Sequence, residues 1–111
     1  LALAVNYGGR AEITRAARQI AEQVARGDLN PTDVDDELIA SHLYTADLPD
    51  PELVIRTSGE MRVSNYLLWQ IAYSEFYVTD TYWPDFDRWG LVRAIDAYQH
   101  RDRRFGGVKQ Q

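Results

Sequence analysis

The chain has 111 residues, 45% of them apolar and 26% charged, with a formal net charge of −5 and no cysteine. This length supports one modest domain with one core, the composition is that of a globular and not a disordered chain, and the missing thiols exclude disulfides and thiolate metal sites. The acidity argues against general nucleic-acid binding, which needs a broad cationic surface, and no apolar stretch approaches the roughly 20 residues of a membrane span.

Leu1–Val5 is a continuous apolar run and reads as a strand covered on both faces. The chain opens inside that run, so a piece of a longer polypeptide is expected. Asn6-Tyr7-Gly8-Gly9-Arg10 reads as a turn into a helix. Ile13, Ala16, Ala17, Ile20, Ala21 and Val24 recur at helical spacing, and Gly27 ends the helix. A second helix is predicted over about 33–43, with Thr32 as its N-cap. After a proline-punctuated loop, Leu53-Val54-Ile55 reads as a short buried strand. Residues 65–74 are apolar nearly all round, which predicts a buried helix or an oligomer interface. Phe76–Thr79 reads as a third strand, Trp83-Pro84-Asp85 as a turn, and Phe86 to about Arg103 as a final helix. The order β-α-α-β-α-β-α predicts an α/β fold with a largely parallel sheet and flanking helices.

Charge is uneven along the chain. Residues 28–60 hold nine acids against one base, and residues 98–111 hold four bases against one acid. A local anion site fits that pattern better than a cationic face. In open α/β sheets ligands bind beyond the carboxyl ends of strands, and Arg56 stands at such an end. Gly59 lets the backbone turn closely enough for its N–H groups to face an anion. Arg62 and Ser64 follow just before the predicted helix, whose N-terminus favours negative charge. Two guanidinium forks and a hydroxyl make a candidate diphosphate site; the competing reading pairs Arg56 and Arg62 with local acids such as Glu52 or Glu60. Glu75, between the apolar stretch and an aromatic strand, either holds Mg²⁺ or pairs with an arginine.

Other polar features invite blander readings. Asp35-Asp36-Glu37 sits at a helix start, where acids complement the dipole. His42 and His100 have no metal-ligand spacing and read as helix-surface histidines. The two glycines of Asn6–Arg10 suit a structural turn, and they form neither a dinucleotide fingerprint nor a P-loop. A sugar-nucleotide module would need such a fingerprint with an acid about 20 residues beyond it. Arg101-Asp102-Arg103-Arg104-Phe105-Gly106-Gly107 is either a capped, basic helix end or an arm that delivers an arginine to an anion.

Taken together, these residues resemble a known family. Ile55-Arg56-Thr57-Ser58-Gly59-Glu60, Arg62, Ser64-Asn65, Leu67-Leu68-Trp69-Gln70, Ala72-Tyr73-Ser74-Glu75 and Trp83-Pro84-Asp85-Phe86 are similar to the long C-terminal signature of cis-prenyltransferases, the undecaprenyl and decaprenyl diphosphate synthases. Asn6-Tyr7-Gly8-Gly9-Arg10 resembles an upstream motif of that family, and Arg104-Phe105-Gly106 its C-terminal Arg-x-Gly. The resemblance covers essentially the whole chain, with the motifs in order.

The resemblance implies a homodimeric transferase that condenses isopentenyl diphosphate onto an allylic diphosphate, with Mg²⁺, to give Z double bonds. It assigns Arg56, Arg62 and Ser64 to the isopentenyl diphosphate group. Glu75 would help place Mg²⁺, with some contribution across the dimer. Arg104 and Gly106 would reach the partner's isopentenyl diphosphate site, and the apolar stretch around Trp69 would build the dimer contact. The chain reads as the C-terminal part of one catalytic domain. The family's first motif, Met-Asp-Gly-Asn with the main catalytic aspartate, is not in this sequence, so no catalytic residue is assigned and these residues alone are expected to be inactive. Met61 stands where some members carry a histidine near the metal. The expected setting is cytoplasmic, with peripheral membrane contact because substrate tail and product are lipid. The alternative reading is a non-catalytic accessory subunit of a prenyltransferase complex; the complete Arg56, Arg62, Ser64 and Glu75 set argues against it.

Overall fold

The computed structural model describes residues 1–101. They form two compact units, Leu1–Pro49 with Ser64–Trp69, and Asp50–Val63 with the chain from Gln70 onward.

In the first unit, helix α1 spans Gly9–Ala25. Its apolar stripe buries Ala16 and Ile20, as the helical spacing required. Arg26 is the C-cap, and Gly27 follows at φ 83°. The Gly27 N–H donates to the Val24 carbonyl at 3.0 Å and the Asp28 N–H to Gln23 at 2.9 Å, the paired bonds of a Schellman motif. The start of α1 depends on a close approach. The Gly9 N–H donates to the Asn65 carbonyl at 2.7 Å, and a Cβ on Gly9 would lie 2.8 Å from Leu68 Cγ and 3.0 Å from that carbonyl oxygen. Only a residue without a side chain fits there, which gives the glycine pair its structural purpose.

Two expectations for this unit are corrected. Leu1–Val5 forms no strand; Leu1, Leu3 and Val5 are all exposed. A strand needs a hydrogen-bonding neighbour, and none pairs with this run among the described residues. The second helix is shorter than expected: a 3₁₀ turn at Pro31–Asp33 precedes helix α2, Asp36–Ser41. Its cap is Asp35, whose carboxylate accepts the Leu38 N–H at 2.8 Å, and not Thr32. Asp35-Asp36-Glu37 therefore does cap the helix, as the sequence suggested.

The predicted helix over 65–74 is absent. That stretch is a series of turns, with Ser64, Asn65 and Leu67 left-handed at φ 55°, 63° and 44°. A right-handed helix cannot propagate through such residues. Its side chains are spent differently: the polar Gln70 is buried with Ile71, while Tyr66 and Tyr73 face outward.

The second unit holds two strands where three were expected for the chain. Strand β1, Leu53–Arg56, and strand β2, Glu75–Val78, are parallel, with Leu53 opposite Glu75 and Arg56 opposite Val78. Trp83–Asp85 is a 3₁₀ turn, and helix α3, Arg88–Gln99, starts at Asp87, whose carboxylate accepts the Gly90 N–H at 3.0 Å. α3 packs on β2, with Gly90 and Ala94 buried. The result is α/β with a parallel sheet and flanking helices, as expected. Among the described residues no helix is long and apolar enough to cross a membrane.

Candidate functional site

Arg56 is the last residue of β1, so its side chain leaves the sheet at the carboxyl edge. The next four residues make a tight reversal. Ser58 and Gly59 are both left-handed, at φ 61° and 68°, and the Glu60 N–H closes the turn on the Thr57 carbonyl at 3.2 Å. Two positive-φ central residues with that closing bond are the signature of a type I′ turn. The Ser58 N–H donates to Thr81 O at 2.9 Å, and the Gly59 N–H to Thr79 O at 2.8 Å. The Thr79 N–H in turn donates to Arg56 O at 2.9 Å. This corrects one expectation. The backbone N–H groups around Gly59 do not face an anion; they are used in fastening the turn to the segment after β2. With no helix beginning at Asn65, a helix dipole at that point contributes nothing either.

The side chains remain. The Arg56 Nε is shielded from solvent and has no hydrogen-bond partner. A desolvated donor left unmatched costs about 1–3 kcal/mol. Arg62 is exposed and paired with Glu60 at 3.3 Å, one of the local pairings weighed from the sequence. An ion pair this open to water contributes little and exchanges readily for a stronger anion. The described residues thus present one unmatched guanidinium nitrogen at the sheet edge, with a second, loosely held guanidinium six residues on. Ser64 lies in the first unit, exposed, at φ 55°. Arg104 and Gly106 lie outside the described residues.

Glu75 does not join this group. It opens β2 and pairs with Leu53, whereas Arg56 closes β1. Three residues separate the two positions along the ladder, about 10 Å at the usual strand rise. An odd offset also puts their side chains on opposite faces. Within one chain Arg56 and Glu75 stand at opposite ends and on opposite sides of the sheet. The Glu75 carboxylate pairs with Arg101 at 3.4 Å, the arginine pairing that the sequence left open. Among the described residues no three His, Asp or Glu side chains are placed to hold a metal ion. One carboxylate already engaged by a guanidinium does not by itself fit Mg²⁺, which takes carboxylates together with phosphate oxygens and water. His42 and His100 direct Nδ1 at the Leu38 and Asp96 carbonyls of their own helices, at 2.9 and 2.8 Å.

Sequence reasoning missed one polar centre. Glu12 is 1% exposed. One carboxylate oxygen accepts the Tyr7 hydroxyl and the other the Tyr44 N–H at 2.7 Å. Burial, together with the Glu12 hydrogen bond and charge, raises the Tyr7 hydroxyl well above the ordinary tyrosine range. The ring of Tyr7 meets Tyr44 and Tyr66 edge-on, with centroids 6.4 and 5.8 Å apart. The available signal was position: Glu12 precedes Ala16 and Ile20 by four and eight residues and so lies on the apolar stripe of α1.

Comparison with known proteins agrees with this anatomy. Residues 1–106 match the family described as "Putative undecaprenyl diphosphate synthase". The chain is 58% identical over 109 residues to the isoprenyl transferase of Heliobacterium mobile, covering 98% of this chain and 42% of that protein. It is 59% identical over 112 residues to that of Streptococcus thermophilus, covering 97% and 45%. Among solved structures it resembles lavandulyl diphosphate synthase from Lavandula x intermedia, crystallised with dimethylallyl diphosphate. The TM-score is 0.90 and the identity 45%, over 94% of this chain and 45% of that one. The chain therefore spans less than half the length of these relatives. A family match over nearly every residue, with identities near 60%, places the chain in the undecaprenyl diphosphate synthase family of prenyltransferases.

Proposed function

We propose that the protein is a cis-prenyltransferase that condenses isopentenyl diphosphate with an allylic diphosphate to form a Z-polyprenyl diphosphate. These residues form the C-terminal part of its catalytic domain and supply groups that bind isopentenyl diphosphate. The observation that carries this reading is the unmatched, desolvated Arg56 Nε at the carboxyl edge of a parallel sheet, in a chain of prenyltransferase lineage. A diphosphate held by the Arg56 guanidinium would supply acceptor oxygens at this edge of the sheet.

The chemistry requires the two substrates to be held close and in line, with positive charge fixed where diphosphate charge accumulates. Arg56 and Arg62 meet the second requirement through charge-assisted hydrogen bonds, Arg62 by exchanging Glu60 for phosphate oxygens. Ser64 adds a hydroxyl donor on the strength of the sequence motif. By the same resemblance Arg104 and Gly106 would complete the site of a partner chain in a homodimer, and Glu75 would help place Mg²⁺, with some contribution across the dimer. The setting that follows is a cytoplasmic enzyme meeting the membrane at its surface, where a lipid product collects.

The test is calorimetric binding of isopentenyl diphosphate to the intact protein and to Arg62→Ala. The expected loss is about 2 kcal/mol, roughly 30-fold in affinity. Equal affinities would remove Arg62 from the site.

A further inference from the structure

The starts of both strands are gripped by the end of α3. The Tyr98 hydroxyl donates to Glu52 Oε2 at 2.6 Å, one residue before β1. Three residues further, Arg101 Nη1 reaches Glu75 Oε2 at 3.4 Å and also donates to the Phe76 carbonyl. The strand starts are joined by the Glu75 N–H on the Glu52 carbonyl at 2.9 Å. The Arg101 and Glu75 side chains are 35% and 24% exposed, so this pair is better shielded than the Arg62–Glu60 pair, at 79% and 46%.

The two contacts of Arg101 differ in kind. The backbone carbonyl of Phe76 is fixed by the ladder, so the bond to it fixes the guanidinium. The fixed guanidinium then restricts the Glu75 carboxylate, which otherwise has three rotatable bonds. Confining a glutamate costs side-chain entropy, and that cost is met in the folded protein before any ligand arrives. The rigid guanidinium fork makes this placement specific in a way that a lysine ammonium does not.

We propose that Arg101 is a positioning residue for Glu75, holding its carboxylate at the amino edge of the sheet in the orientation used when isopentenyl diphosphate binds. This inference rests on the reading above, in which Glu75 acts across the homodimer, because within one chain it stands at the far end of the sheet from Arg56. In this role Arg101 acts through Glu75 and not by contact with substrate.

The experiment is a double-mutant cycle in the intact protein, with KM for isopentenyl diphosphate, kcat and the melting temperature measured for Arg101→Gln, Glu75→Gln and the double variant. Arg101→Gln should raise KM about five- to tenfold, change kcat less than twofold and keep a cooperative melt. Arg101→Lys, which keeps the charge but loses the planar fork, should recover less than half of that effect on a logarithmic scale; full recovery would assign the effect to charge and overturn positioning. On the Glu75→Gln background, Arg101→Gln should add less than a twofold further change. A full additional rise in KM on that background would show that Arg101 acts elsewhere and overturn the proposal, as would an unchanged KM for Arg101→Gln alone. If Glu75→Gln itself behaves as wild type, the reading of Glu75 fails, and that result is distinguishable from failure of the Arg101 inference. If Arg101→Gln does not fold, Arg101→Met keeps the packing of the stem and carries the same comparison.

Discussion

Arg56→Met separates binding from stability, because the two should move in opposite directions. Methionine keeps most of the stem and removes a nitrogen that is shielded and unmatched. Leaving a buried donor unsatisfied costs about 1–3 kcal/mol, and because the rest of the side chain is only half-buried the low end applies, about 1 kcal/mol. The free variant should therefore melt higher, by about 2–4 °C for an intact protein of the relatives' length. Binding changes the other way. Loss of one or two charge-assisted bonds removes about 3 kcal/mol, which is roughly a 100-fold loss of affinity. At a ligand concentration of about 100 times the wild-type Kd, wild type gains about 2.7 kcal/mol from isopentenyl diphosphate. The variant, then near its own Kd, gains only about 0.4 kcal/mol. The assay is thermal melting of the intact protein with and without isopentenyl diphosphate. A variant that melts lower than wild type when free, yet shifts as wild type does with ligand, would refute the account of Arg56.

Two further outcomes concern the framework. Ser58→Gly relieves a non-glycine residue at φ 61°, a cost of about 1–2 kcal/mol, against about 0.4–1 kcal/mol for a freer unfolded chain; the urea midpoint should rise by the equivalent of about 0.5–1 kcal/mol, and a fall would show that the serine hydroxyl contributes more than its backbone costs. Tyr7 holds its proton more tightly when folded than when unfolded, so its contribution is complete below the unfolded value of about 10 and is lost as pH rises above it. Urea melts from pH 8 to 11 should show a steeper alkaline loss for wild type than for Tyr7→Phe, and parallel profiles would count against the Glu12–Tyr7 coupling.

Much of this architecture was legible from pattern. Helix α1 carried both a 3.6-residue stripe and a glycine stop, and the short apolar runs gave the two parallel strands. Arg56 was placed correctly because a strand ending on an arginine fixes which sheet edge the arginine occupies. Residues 65–74 misled because uniform apolarity reports burial and not handedness. Only Asn65, a residue that tolerates the left-handed region, hinted at the turns seen at 64, 65 and 67. Thr32 and Asp35 are both good caps, and propensity alone could not choose between them; the 3₁₀ turn at Pro31–Asp33 displaced the helix start to Asp36. The Glu12 centre depends on Tyr44, 32 residues away, and no local pattern reports such a partner. The separation of Glu75 from Arg56 was likewise beyond the sequence, because it follows from the strand register.

The turn after β1 is held by main-chain atoms. Ser58 and Gly59 are fastened through their N–H groups to the carbonyls of Thr79 and Thr81, while the side chains of Ser58, Glu60 and Arg62 point into solvent. Fastening of this kind is indifferent to side-chain identity wherever the backbone angles are tolerated. The edge of the sheet therefore behaves as a mount with interchangeable fittings. Charge and size at positions 60 and 62, and at 58 among residues that accept the left-handed region, can be varied, by natural drift or in a designed library, to probe the anion preference proposed for this edge without dismantling the support that holds Arg56.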